Sequence, residues 1–240
     1  MDFLDGYVVR ARLFPAMLAV APALVFLLVM VGGNYENLGL PEALITVTVA
    51  VLFFAFADIA RRFGRRAEQK LFITSGGRPF PTVLRHRDKS INVRSKSRYL
   101  AFLSRELGEE APTADQEEAN PAAADEFYVS CGDFLRERTR DQSRFNVLFA
   151  ENVSYGFRRN LYGLKYPGLL LNAVAAAASC WLIYRASCAN LSLYGIVLVV
   201  SAIHALYFVA GVTRKSVLEA GHQYGRQLVL SCEELQATAT

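Results

Sequence analysis

Apolar residues along this chain fall into four blocks rather than an even scatter: Leu13–Val31, Ala43–Ala60, Tyr166–Tyr184 and Leu191–Val212. Each approaches the ~20 residues an α-helix needs to cross about 30 Å of hydrocarbon at 1.5 Å per residue. Charged side chains are nearly absent inside them, so the pattern predicts four membrane-spanning helices arranged as two hairpins. The first block could pass for a secretory signal. Its run of about 19 residues exceeds a signal's apolar region, and no Ala-x-Ala pattern precedes Gly32-Gly33-Asn34, so a retained span is expected.

Between the hairpins the pattern changes to short amphipathic stripes. Tyr99, Leu103 and Leu107 recur at helical spacing, with Gly108 as a stop. Asn120-Pro121 supplies a cap followed by proline at the first helical position. Ala124, Phe127, Tyr128, Cys131, Phe134 and Leu135 then form an apolar stripe. Phe145, Leu148, Phe149, Val153 and Phe157 mark a last helix from about Ser143 to Leu161, broken by Gly163 and Pro167. The acidic stretch around Glu109–Glu126 reads partly as linker, and Leu71–Thr74 offers one short strand. The expected fold is an all-α membrane protein with four transmembrane helices as two hairpins and a mainly helical cytosolic domain between spans two and three. Its parts are a first hairpin over 1–62 (spans about 13–31 and 43–60), the domain over 63–165, a second hairpin over 166–212 (spans about 166–184 and 191–212) and a cytosolic tail over 213–240.

Lys and Arg give the topology a direction. Arg10 and Arg12 precede the first block; Arg61, Arg62, Arg65, Arg66 and Lys70 follow the second. Arg158, Arg159 and Lys165 precede the third, and Arg214 and Lys215 follow the fourth. The loop Gly32–Glu42 has no Lys or Arg, and the loop before Leu191 has only Arg185. Loops rich in Lys and Arg stay in the cytosol, so both termini and the domain are expected there, in a bacterial inner or plasma membrane. A net charge of +4 carries no argument for nucleic acid: juxtamembrane arginines serve topology and anionic lipid first. No motif for sequence-specific nucleic-acid recognition is present.

Polar residues inside apolar blocks are costly and therefore informative. Asn172 in the third block and Ser201 and His204 in the fourth lie at matching depths, about 9 Å for Asn172 and about 12 Å for His204 at 1.5 Å per residue. They read as interhelical glue or as a protonatable, pore-lining site. Ala173 and Ala175–Ala178 allow close helix approach, within one chain or between copies. Pro22 predicts a kink, whereas Pro15 falls in a first turn where a missing N–H costs nothing. Asp58 ends the second block with Arg61 and Arg62 at i+3 and i+4: a helix-end ion pair, or an acidic ring at a pore mouth if copies assemble.

The basic stretch of the domain has two readings. It is a solvated or lipid-facing surface with acid partners in 109–126, or a site. As a site, Arg78, Arg85, His86, Arg87, Arg94 and Arg98 could hold an anion such as a nucleotide phosphate. The glycine pair before Arg78 fits no phosphate-loop pattern. Arg136, Arg138 and Arg140 suit the helix dipole and are candidates for contact with a protein partner. The four cysteines show no Cys-x-x-Cys and no histidine at ligand spacing, so free thiols and no metal site or cofactor are expected. Three widely separated histidines and the absence of a nucleophile or paired-acid motif argue against an enzyme.

The expected function is a non-enzymatic, homo-oligomeric membrane protein whose cytosolic domain receives a signal and alters the transmembrane bundle. That description covers a channel-like protein or a membrane effector, including one in antiviral defence. The alternatives are a membrane-anchored scaffold or receptor for a cytosolic protein and, less favoured, an enzyme acting on a lipid or anionic substrate.

Overall fold

The computed structural model describes residues 6–32, 42–73, 77–188 and 190–237, without the side chains of 32, 42–50, 53 and 81. The elements are α1 (Gly6–Val8), a π-helical turn Val9–Leu13, α2 (Phe14–Gly32), α3 (Glu42–Ile73), α4 (Pro79–Thr82), α5 (Val93–Leu107) and α6 (Ala114–Ala119). They continue with α7 (Pro121–Arg138), α8 (Asn146–Gly163), α9 (Lys165–Arg185), α10 (Leu191–Leu206), a second π-helical turn Tyr207–Gly211, α11 (Arg214–Leu230) and α12 (Cys232–Ala237). No strand occurs among the described residues. Leu71–Ile73, expected as the start of a strand, ends α3 instead, because the helical run from the second block continues without a breaker; Thr74 lies outside the described residues.

Three helical runs are long and apolar enough to cross a membrane: Gly6–Val31, Lys165–Arg185 and Leu191–Gly211. The second predicted span, 43–60, falls in α3, but the side chains of its first half lie outside the described residues. The chain forms two compact units, one of Met1–Glu68 with Gly156–Ser216 and one of Gln69–Tyr155 with Val217–Thr240. The division therefore falls inside α3, α8 and α11, not at the ends of apolar blocks.

In the first unit α2, α9 and α10 pack on one another. Their buried faces carry small residues: Ala16 and Ala19 on α2, Gly168, Asn172, Ala175 and Ser179 on α9. α10 turns Tyr194, Val197, Ser201 and His204 inward at helical spacing. Ser187 and Cys188 adopt positive φ of 48° and 67° in the tight turn joining α9 to α10. The helical run begins at Gly6, so Pro15 is not in a first turn, contrary to expectation. Its missing N–H would have served the Ala11 carbonyl four residues back, and the π-helical turn Val9–Leu13 sits over this gap. Asn160 of α8, fully buried, donates Nδ2–H to that carbonyl at 2.6 Å. α3 comes equally close: a Cβ on Gly64 would lie 2.0 Å from Asn160 Oδ1, and one on Gly163 would lie 2.5 Å from the Phe63 main chain.

The second unit is built as the stripes require. Tyr99, Leu103, Tyr128, Cys131 and Leu135 are at its centre, joined by Phe145 and Leu148 from the start of α8. Asn92 caps α5, and Gly108 at φ 69° ends it. Asn120 caps α7 with Pro121 in its first turn. Within segment 213–240, expected as a tail, residues 214–237 form α11 and α12 and bury Leu228, Val229 and Cys232 in the same core; 238–240 lie outside the described residues. Gly221 and Gly225 let α11 press on Pro79, which a Cβ would approach to 3.0 and 3.2 Å. Glycines in a helix read as poor helix formers, which is why the segment resembles a tail in sequence. Part of the acidic stretch is helical too: Thr113 and Gln116 form a capping box at the start of α6.

Two outcomes follow from this packing. Gly163→Ala places a methyl against main chain that cannot rotate aside, so it should cost about 1–3 kcal/mol, read as a lower melting temperature in detergent. Cys131 and Cys232 are free, buried and pushed by burial up to about 12. At pH 8 the folded protein should resist alkylation at both and react at exposed Cys188, as peptide mass spectrometry before and after denaturation will show.

Candidate functional site

The first unit holds a polar cluster within an otherwise apolar bundle. Asn172, Ser201 and His204 are all buried. Asn172 Nδ2 donates to the Ser201 carbonyl at 3.0 Å, so the interhelical bond runs to main chain rather than to the imidazole at matching depth. Asn172 Oδ1, Ser201 Oγ and both ring nitrogens of His204 have no hydrogen-bond partner among the described residues. The His204 ring stacks on Phe208 at 4.1 Å. A Cβ on Gly168 would lie 3.1 Å from the Phe208 ring and 3.1 Å from the Ala19 carbonyl, so α2, α9 and α10 converge at this level.

Pro22, buried in α2, removes the N–H that would serve the Leu18 carbonyl. Main chain of Leu18 and Ala19 lies alongside His204, although neither ring nitrogen reaches hydrogen-bonding geometry. The α2 turn that Pro22 leaves without an N–H, and the imidazole of α10, are thus neighbours through Leu18 and Ala19. A π-helical turn, Tyr207–Gly211, follows directly, and Lys165 Nζ donates to the Val212 and Val209 carbonyls at 2.8 and 3.3 Å at its end. Irregular turns of this kind let a helix change register locally. Asp58, by contrast, forms an exposed ion pair with Arg62 at 2.7 Å, an interaction worth little in water.

In the second unit the basic stretch is largely committed. Arg85 makes a bidentate pair with Asp125, through Nε at 2.8 Å and Nη2 at 2.5 Å, and that contact raises its pKa. Arg98 pairs with Glu233, to which Tyr99 also donates, and Arg144 pairs with Glu234 at 2.7 Å. Acid partners of the basic stretch therefore come from the C-terminal helix as well as from 109–126. Arg136 and Arg140 pair with Asp133 and Glu137 one turn earlier, and Arg138 lies over the Phe134 ring. Arg78, Arg87 and Arg94 are exposed and make no ion pair among the described residues.

Sequence reasoning missed two buried ionisable groups here. Lys96 is 4% exposed and donates Nζ–H to the carbonyls of Arg85 and Asp88 at 2.7 and 2.5 Å; burial lowers its pKa. Glu117 accepts from the His86 main-chain N–H at 2.8 Å and from the Tyr128 hydroxyl at 2.7 Å. Burial, then Glu117, raises the Tyr128 pKa. Polar residues at core positions of amphipathic helices were the only signal available. The His86 Nε2 lies 2.8 Å from the Pro112 carbonyl. Asp88 sits 3.7 Å from His222. Arg85, His86, Arg87, Ala114, Glu117, Glu118 and Pro121 line a cleft of about 520 Å³. Among the described residues, no group of three His, Cys, Asp or Glu could hold a metal ion.

No protein-family model matches the chain, and neither a curated protein nor a solved structure does. The geometry alone therefore carries the functional argument. In that geometry His204 differs from ordinary interhelical glue, which is hydrogen-bonded. Replacing it with an apolar ring of similar shape removes unsatisfied polar atoms, each costing about 1–3 kcal/mol when buried. His204→Phe should therefore match or exceed the wild-type melting temperature in detergent; a clear loss of stability would show that the imidazole is a structural bond.

Proposed function

We propose that the protein is a four-span, oligomeric membrane protein that alters the permeability or packing of its bundle when its helical domain receives a signal, with no enzymatic step. In this reading residues 43–60 form the missing span, since their sequence is apolar enough and ends at the arginine cluster of α3. The positive flanks then put both termini and the helical domain in the cytosol of a cell bounded by an inner or plasma membrane. A membrane effector of the defence type has this organisation.

The observation that carries the reading is the buried cluster of Asn172, Ser201 and His204 with unused hydrogen-bonding capacity, packed against the helix that contains Pro22. An apolar bundle that only anchored a domain would gain stability by losing those groups. Their retention is accounted for when a second arrangement of the helices hydrates or pairs them. The cleft lined by Arg87 and Glu118 is the proposed point of reception, for a small ligand bearing an anionic group or for a protein segment.

Liposomes holding the full chain test this directly. Addition of cell extract or nucleotide to the face bearing the helical domain should release an entrapped ion, and His204→Phe, while folded, should reduce that release at least about tenfold, the effect of one lost polar interaction near 1.4 kcal/mol. Absence of flux under every trigger, or equal flux in the variant, would overturn it.

A further inference from the structure

The end of the first unit where α3, α8 and the π-helical turn meet carries more positive charge than its own acids can balance. The junction is fixed by main-chain contacts: Asn160 Nδ2 on the Ala11 carbonyl, and Gly64 against Asn160. Each of those residues has an arginine neighbour. Arg12 follows Ala11, Arg65 follows Gly64 with Arg61 one turn before, and Arg159 precedes Asn160. Arg61, Arg65 and Arg159 all stand close enough to act electrostatically on Arg12. The acids described in this unit are spent elsewhere. Glu68 holds Arg159 at 3.1 Å, and Asp58 holds Arg62 at 2.7 Å.

Arg12, Arg61 and Arg65 are thus left without an ion-pair partner among the described residues. Arg12 is the most constrained of them. Its guanidinium lies over the Tyr7 ring at 5.4 Å, and its Nε–H is buried with no acceptor. Leaving a charged donor buried and unpaired costs more than leaving a neutral one, and three like charges around one junction repel. Topology alone requires only that positive charge lie on one side. It does not require a buried Nε–H pointing into a junction.

We infer that Arg12, Arg61 and Arg65 form a binding site for a phosphate-class anion, supplied by an anionic phospholipid headgroup or by a soluble phosphate. Guanidinium groups suit this ligand because their fork geometry matches phosphate oxygens and their charge persists at every accessible pH. Such an anion would tie the first span to α3 through charge, beside the Asn160 bond that ties it to α8.

The test uses the full-length protein purified in detergent, with lipid retention read by native mass spectrometry after exchange into equimolar phosphatidylglycerol and phosphatidylcholine. Wild type should retain phosphatidylglycerol preferentially. Arg12→Gln should reduce that retention about tenfold or more, the loss of one charge-assisted contact. Arg65→Gln, at an exposed position with less risk to folding, should reduce it severalfold. Arg10→Gln and Arg62→Gln, which remove equal charge nearby, should leave it unchanged. Inorganic phosphate distinguishes the sources: if it displaces the lipid and raises the melting temperature of delipidated protein in an Arg12-dependent way, the site takes soluble phosphate. If it does neither, the site takes the lipid headgroup. Equal loss of retention in all four variants, or no loss in Arg12→Gln and Arg65→Gln, would overturn the proposal.

Discussion

The wholly buried Asn160 amide donates to the Ala11 carbonyl at 2.6 Å, and much of the first unit is arranged so that this bond can form. Pro15 withholds the N–H that carbonyl would otherwise receive, so the first helix needs a partner from outside itself. That partner reaches it only if α8 comes close, and α8 comes close only because Gly156 stands where a Cβ would meet Ala11 at 2.9 Å. Gly64 makes the same concession for α3. Three helices are therefore joined by one proline gap, one amide and two glycines. Pro22 creates a second gap one helical stretch further on, at Leu18. There the neighbouring side chain is His204, which lies alongside without closing a bond. The first gap is closed by a side-chain amide, and at the second no side-chain hydrogen bond is made by the neighbouring imidazole.

The second unit solves a different problem, that of ordering loops which carry many charges. Two buried ionisable residues act as pins. Lys96 gathers the carbonyls of Arg85 and Asp88, and Glu117 holds the His86 N–H and the Tyr128 hydroxyl. The segment 85–88 is thus held from both sides, with the bidentate Arg85–Asp125 pair beside it. A fully satisfied polar network of this kind fixes one arrangement of a loop at the cost of burying charge. The walls of the cleft at Arg87 and Glu118 inherit that order, so a ligand there would meet a prepared surface and lose little to immobilising it.

Most of the helical fold was legible in the sequence because it rests on periodicity and capping, both local. The stripes from Tyr99 to Leu107 and from Ala124 to Leu135 are helices with the expected ends at Gly108 and Asn120. What was not legible depends on contacts between distant segments. Nothing local marks α11 as core: its Gly221 and Gly225 lower helix propensity, and their use appears only when Pro79 is placed against them. Thr113-Ala-Asp-Gln116 did carry a capping-box signature, and only the acidic composition around it suggested linker. At the candidate site, the intramembrane polar residues announced themselves by cost alone. The approach of Leu18 and Ala19 main chain to His204, and the choice of the Ser201 carbonyl by Asn172, needed three helices in register.

The two ends of the first unit also differ in how charge and polarity are distributed, and the difference has a physical consequence. Around Ala11 and Asn160 the main-chain polar group is paired and the unbalanced charge is cationic, so a bound anion adds stability without displacing any bond. Around His204 several side-chain polar atoms have no hydrogen-bond partner among the described residues, so stability would come from removing them or from water entering. Pro15 and Pro22, seven residues apart on one helical run, thus place the paired Ala11 carbonyl and the gap at Leu18 on the same element.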